Sequence, residues 1–264
     1  MNKINFYPNR GTTTDEQKIY KSLAHAWPIR PAVDFKPSWH TNLNKTYNHT
    51  PESPPQPTAK ACPGIFDHMK AGYIIPMWSD MCFRFHDDGR SESNRGWDSL
   101  LPDIISNTIS KPVEMHDYQQ VKGVPFLEDG CPNLIKLNTP WYVNVPKGVS
   151  LFYTTPFYHI NNDFTVVPGI IDADMEHLPN KEVNCFIKLN KPGITIKLLQ
   201  GQPLMQIIPF VRADYEFKNN IPIEFEGEQE LDIVNIRYRT KIEDFAQDPI
   251  KKLQNNRIPK IHNV

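Results

Sequence analysis

The chain has 264 residues, 39% of them hydrophobic and 22% charged, and its formal net charge at pH 7 is -1. This length allows one large or two modest domains, and the balanced charge argues against a dedicated nucleic-acid-binding surface. Twenty-five prolines against twelve glycines predict a loop-rich protein with short strands, because proline is excluded from helix interiors and central strands.

Residues 1–60 are predicted to form a proline-rich N-terminal arm. "TTTDEQKIYKSLAHAW" (12–27) predicts a short helix that begins at a Thr or Asp cap and ends before the prolines that follow. "TYNHTPESPPQPTAK" (46–60) is polar and proline-rich, which is typical of an exposed extended loop.

Residues 61–240 are predicted to form a β body, because short apolar runs alternate with turn residues and no helical period separates them. "MCFRFHD" predicts a strand that ends in a turn at 87–89, and 134–158 predicts two or three strands around a Pro-Lys-Gly turn. "VNCFIKL", "GITIKLL", "LMQIIPFV" and a pair within 221–240 add further strands. Residues 241–264 are predicted to carry a short C-terminal helix.

Two aspartates stand out within "VVPGIIDADM" (166–175). Asp172 and Asp174 follow an apolar run at a spacing of two, so on an extended chain both carboxylates point to the same face. Such a face holds a water, a sugar or a metal, or it is a turn held by backbone hydrogen bonds. The sequence leaves both interpretations open.

The motifs around this pair resemble the trimeric dUTPase and dCTP deaminase fold. Residues 169–172 and Asp174 match its sugar- and water-binding motif "G-[VI]-I-D-x-D", and Gly201, Leu204 and residues 206–208 match its closing motif "G-x-x-[IL]-x-Q-[IL]-I". The resemblance implies a mainly β fold, an antiparallel barrel or jelly roll assembled as a homotrimer. It also implies that Asp172 orients a water, that Asp174 supports it and that Mg²⁺ is the cofactor.

The phosphate-binding Arg-Ser segment of that fold has no counterpart here, since its place reads "YTTPFYH", and Met175 replaces the expected tyrosine. A triphosphate needs guanidinium and hydroxyl donors around it. The whole chain also resembles a group of uncharacterised phage-encoded proteins, through stretches such as "CPGIFDHMKAGYIIPMWSD". Together these features favour a non-catalytic virion or host-interaction component over a nucleotide-processing enzyme.

A second alternative is a non-heme iron oxygenase. His86 and Asp88 have the H-x-D spacing of its iron ligands, His159 or His177 would supply the third, and Arg212 would bind an oxoacid.

Cys62, Cys82, Cys131 and Cys185 are widely spaced and predict reduced thiols. Trp78 and Trp141 are predicted to be core residues or subunit contacts. The sequence shows no signal peptide and no apolar run of roughly 18 residues. These features predict a soluble protein made in the cytoplasm with no membrane association, and the balanced charge predicts no nucleic-acid partner. The resemblance to phage-encoded proteins implies a host cell as the place of synthesis, the virion as a second location and other virion proteins as partners.

Overall fold

A computed structural model describes residues 3–85, 97–116, 118–125, 134–159, 161–175, 182–191, 193 and 195–215. The described residues up to Ala213 belong to one compact unit. Among these residues, α-helices lie at Thr14–Ala26 (α1), Ser38–Asn42 (α2), Pro63–Lys70 (α3) and Asp103–Thr108 (α4).

Strands dominate the described chain. Their bounds are Asn5–Pro8 (β1), Arg30–Pro31 (β2), Thr46–Tyr47 (β3), Gln56–Pro57 (β4), Tyr73–Pro76 (β5), Met81–Phe85 (β6), Trp97–Leu100 (β7), Val113–His116 (β8), Leu134–Asn144 (β9), Val149–Thr154 (β10), Phe164–Val166 (β11), Gly169–Ile171 (β12), Glu182–Leu189 (β13), Ile196–Leu198 (β14) and Pro203–Val211 (β15).

The described strands pair into two five-stranded sheets and two smaller ones. Sheet A has the order β1-β9-β13-β11, with β8 also on β9, and sheet B has the order β12-β10-β15-β5-β2. A three-stranded sheet β14-β6-β7 and the hairpin β3-β4 complete the set. The predicted mainly β, antiparallel fold is confirmed, and within the described residues the sheets have open ends and do not close into one barrel.

Both large sheets contribute to a single hydrophobic core. The alternating burial of β13 sends Val183, Cys185 and Ile187 inward from sheet A, where they join Leu151 and Ile207 of sheet B in one buried cluster. This period of two is the pattern expected of strands with one face on the core.

The predicted core tryptophans are confirmed. Trp78 and Trp141 are 1% and 3% exposed, and their rings meet edge to face with centroids 5.8 Å apart. Among the described cysteines, Cys62, Cys82 and Cys185 are free thiols, as predicted.

The predicted N-terminal helix is confirmed as α1. Thr13 caps it by accepting a hydrogen bond from the N–H of Glu16, and the Glu16 side chain accepts one from the N–H of Thr13 in return. This reciprocal capping box satisfies two of the amides that every helix start leaves unbonded. The preceding strand, β1, pairs with β9, so this N-terminal segment is part of sheet A.

Several predicted elements fall outside the described residues: the turn at 87–89, the strand pair within 221–240 and the C-terminal helix within 241–264. None of the helices in the described part of the chain is long and apolar enough to cross a membrane.

Candidate functional site: an acid cluster at the edge of sheet B

The two predicted aspartates lie at one edge of sheet B. Strand β12 is its outermost strand, and Asp172 and Asp174 follow directly after it. The neighbouring strand β10 carries Ser150, and Arg212 comes directly after β15, the next strand across the sheet. We call these four residues the acid cluster.

Arg212 joins the two carboxylates. Its Nη1 and Nη2 atoms donate to Oδ1 and Oδ2 of Asp174 at 2.9 and 2.5 Å, which is a bidentate pair. Nη1 also lies 3.1 Å from Oδ1 of Asp172. Ser150 completes the ring, because its hydroxyl donates to Oδ1 of Asp172 at 2.5 Å and accepts from Nη1 of Arg212 at 3.1 Å.

The backbone around Gly148 holds the cluster in place. Gly148 ends the predicted Pro-Lys-Gly turn with φ at +82°, a conformation that glycine adopts without a steric penalty. Its N–H donates to Oδ2 of Asp174 at 2.8 Å, and its carbonyl accepts from the N–H of Arg212 at 2.8 Å. The Pro-Lys-Gly turn is therefore hydrogen-bonded to both Asp174 and Arg212.

The segment that carries the aspartates is itself a turn. The N–H of Met175 donates to the carbonyl of Asp172 at 3.1 Å, and Ala173 between the two acids is 1% exposed. Both carboxylates nevertheless contact Arg212.

The contacts change the acidity of every charged group in the cluster. The hydrogen bond from Arg212, followed by that from the Gly148 amide, lowers the pKa of Asp174 to about 2. The Ser150 hydroxyl and then Arg212 lower the pKa of Asp172, and the hydrogen bond to Asp174 raises the pKa of Arg212. All three groups are therefore charged at neutral pH, and the cluster carries a net charge of about -1.

Exposure separates the two acids. The side chain of Asp174 is 7% exposed, whereas those of Asp172 and Arg212 are 33% and 35% exposed. Asp174 is thus the inner member of the cluster, and Asp172 faces solvent.

Sequence reasoning singled out both acids but assigned Ser150 no role and gave Arg212 a different one, as an oxoacid ligand. The signal that identifies them is strand register: Ser150 pairs with Phe210, two residues before Arg212, and Leu151 pairs with Ile171, one residue before Asp172. Ser150 and Arg212 are separated by 62 positions in the sequence, so their contact cannot be predicted without knowing the strand order.

The ligands of the iron alternative are not brought together by the described residues. His86, Asp88 and His177 lie outside them, and Nε2 of His159 lies 2.9 Å from the carbonyl oxygen of Phe35. Within the described ranges, no group of three or more His, Cys, Asp or Glu side chains is arranged to hold a metal ion. A Mg²⁺ ion at Asp174 would have to displace the guanidinium that occupies both of its oxygens.

Comparison with known proteins gives structural likenesses only. No family model and no curated protein matches the chain. The native EIAV dUTPase is 13% identical with a TM-score of 0.30, over 59% of this chain and 87% of that one. A mutant dUTPase from phage phi11 of S. aureus is 16% identical with a TM-score of 0.28, over 60% and 86%. These values are too low to infer a shared reaction.

Proposed function

We propose that this protein acts by binding, as a virion or host-interaction component, and does not catalyse a reaction. The observation that carries the proposal is the pairing of Arg212 with both acids of the predicted site. A carboxylate that accepts hydrogen bonds from a guanidinium, a hydroxyl or a backbone amide already has partners for its charge. The cluster therefore resembles a set of structural hydrogen bonds that link strands β10, β12 and β15, and not an open reaction centre.

The acidity of the pair supports the same proposal. A general base works best when its pKa lies near the pH at which the protein operates. The contacts in the cluster move the pKa of Asp174 and that of Asp172 below the usual range for aspartate, away from neutrality. Neither carboxylate therefore has a pKa suited to accepting a proton from water at pH 7.

Self-association belongs to this proposal. Ile170, Phe210 and Val211 are 61%, 38% and 70% exposed on the strands that end at the acid cluster. Exposed apolar side chains on strands β12 and β15 supply contact area for another copy. We expect a homotrimer, which light scattering would report as a mass three times that of the chain.

One observation favours the alternative, a nucleotide-processing enzyme. That chemistry needs an arginine near Asp172, and Arg212 lies there beside a serine hydroxyl. In this alternative the guanidinium would leave the carboxylates to bind phosphate, and Asp172 would orient the attacking water.

The test is turnover of a deoxynucleoside triphosphate panel with Mg²⁺, following both pyrophosphate release and deamination. We expect no turnover by the native chain. We also expect Asp174→Asn to lower the melting temperature, because it breaks the bidentate pair. Asp163→Asn, at an exposed aspartate outside the cluster, serves as the matched control. Turnover that disappears in Asp172→Asn would establish the enzyme and reject the binding role.

A further inference from the structure

A groove of about 590 Å³ lies away from the acid cluster, between helix α2, the 3-10 turn Phe157–His159 and the start of β15. This volume suits a small-molecule ligand. We call it the aromatic groove, and its lining residues used below are Ser38, Trp39, Tyr158, His159, Asn161 and Gln202.

The aromatic wall of the groove is fixed in position. Nε1 of Trp39 donates to the carbonyl of Tyr158 at 3.1 Å, and the two rings lie 6.0 Å apart at 49°. Tyr158 also packs edge to face against Phe157 and His68, with centroids 5.1 and 5.4 Å away. Trp39 still keeps 36% of its surface exposed. The indole of Trp39 is thus fixed by its neighbours and presents an exposed apolar surface to the groove.

The groove is electrically neutral. Its described lining contains no Asp, Glu, Lys or Arg. Burial lowers the pKa of His159, the only titratable nitrogen base among those lining residues, so its imidazole is uncharged at neutral pH. A strongly charged ligand such as a nucleotide or an acidic peptide would therefore find no opposite charge among them.

Two amide groups on the lining each have their oxygen bonded and, among the described residues, their amino group unbonded. Oδ1 of Asn161 accepts from the N–H of Asp163 at 2.8 Å, and Oε1 of Gln202 accepts from the N–H of Leu199 at 3.0 Å. These bonds orient both amides. The amino end of each has no partner among the described residues, and the hydroxyl of Ser38 lies on the same lining.

We propose that the aromatic groove binds a neutral saccharide. A pyranose ring presents C–H groups on its faces, which pack against an indole, and hydroxyls at its edge, which accept hydrogen bonds from amide donors. The described lining offers both surfaces and contains no charged side chain. This inference rests on the proposed binding role and specifies a ligand class for it.

The experiment is isothermal titration of the full chain with three neutral trisaccharides: maltotriose, cellotriose and triacetylchitotriose. Asn161→Asp and Gln202→Glu keep the oxygen that accepts the internal hydrogen bond and remove the free donor. Asn162→Asp is the matched control, because it adds the same charge at the neighbouring exposed position. We expect at least one trisaccharide to bind, and each groove variant to raise its Kd about tenfold, the equivalent of ~1.4 kcal/mol. The control should change the Kd less than about twofold.

Three results would overturn the proposal. The first is no heat with any neutral trisaccharide up to about 10 mM. The second is binding that the groove variants leave unchanged. The third is binding only of a decaproline peptide or of trigalacturonate, titrated in parallel. Loss of the saccharide proposal would leave the binding role intact, because that role is decided separately by the nucleotide turnover assay.

Discussion

The Glu16 carboxylate tests how strongly buried hydrogen bonds stabilise the fold. Glu16 is 2% exposed. Its Oε2 accepts from both the N–H and the hydroxyl of Thr12 at 2.5 Å, and its Oε1 accepts from the N–H of Ser110 at 2.7 Å. The substitution Glu16→Gln places an amino group opposite one of these donors, so at least one hydrogen bond is lost and two donors face each other.

The magnitude follows from the acidity of the group. Burial alone would raise the pKa of Glu16, but the hydrogen bonds from Thr12 and Ser110 outweigh it and lower the pKa from 4.5 to about 2. At 1.36 kcal/mol per pKa unit, this shift corresponds to on the order of 3 kcal/mol of unfolding free energy at pH 7. Because the folded pKa lies below the unfolded one, the contribution is complete well above pH 4.5 and is lost as the pH falls toward 2. About 2 kcal/mol disappears between pH 7 and pH 3.

Urea unfolding followed by circular dichroism at pH 7 and pH 3 measures both numbers. We expect Glu16→Gln to lose about 2–3 kcal/mol at pH 7 and to show a weaker dependence on pH than the native chain. Asp15→Asn is the control, since this acid lies in the same helical turn but is 77% exposed. A Glu16→Gln variant within about 0.5 kcal/mol of the native chain at pH 7 would refute the reasoning.

Two further predictions concern backbone and core. A Cβ on Gly72, whose φ is +68°, would lie 2.0 Å from the carbonyl oxygen of Ile207, so Gly72→Ala should destabilise the fold by clearly more than Gly148→Ala. Gly148 has φ at +82° but open space around it, so Gly148→Ala should lower the unfolding free energy by only about 1–2 kcal/mol. Equal losses of unfolding free energy for the two variants in urea titrations would contradict the predicted clash at Gly72. The hydroxyl of Tyr153 is buried without a partner among the described residues, so Tyr153→Phe should leave the unfolding free energy unchanged or raise it by up to ~1 kcal/mol, and a loss above that size would reveal a missing partner.

Local patterns in the sequence were enough to predict some of the elements. Helices α3 and α4 were missed, because they lie within 61–240, where no helical period was expected, and are only eight and six residues long. A Thr or Asp cap and the prolines after Trp27 predicted α1, and the short apolar run "VNCFIKL" between turn residues predicted β13, because both signals depend only on neighbouring residues. The paired aspartates were singled out for the same reason, since their spacing of two is itself a local pattern.

The partners of these residues could not be predicted, because tertiary pairing decides them. Arg212 meets Asp174 across 38 residues, Glu16 meets Ser110 across 94, and Trp39 meets Tyr158 across 119. No sequence periodicity extends over such separations, so the sequence predicted the two aspartates of the acid cluster but not their pairing with Arg212. The aromatic groove was not predicted at all, since none of its lining residues forms a local motif.

The pairing of the first strand also has a consequence for synthesis. Pro8 of β1 lies opposite Trp141 of β9, 133 residues further along the chain. A ribosome that adds about 5–20 residues per second needs roughly 7–27 s to reach the partner strand. Through that interval the apolar side of β1 has no sheet to join. Sheet A therefore assembles late, and the rate of translation sets the earliest moment at which its N-terminal edge is covered.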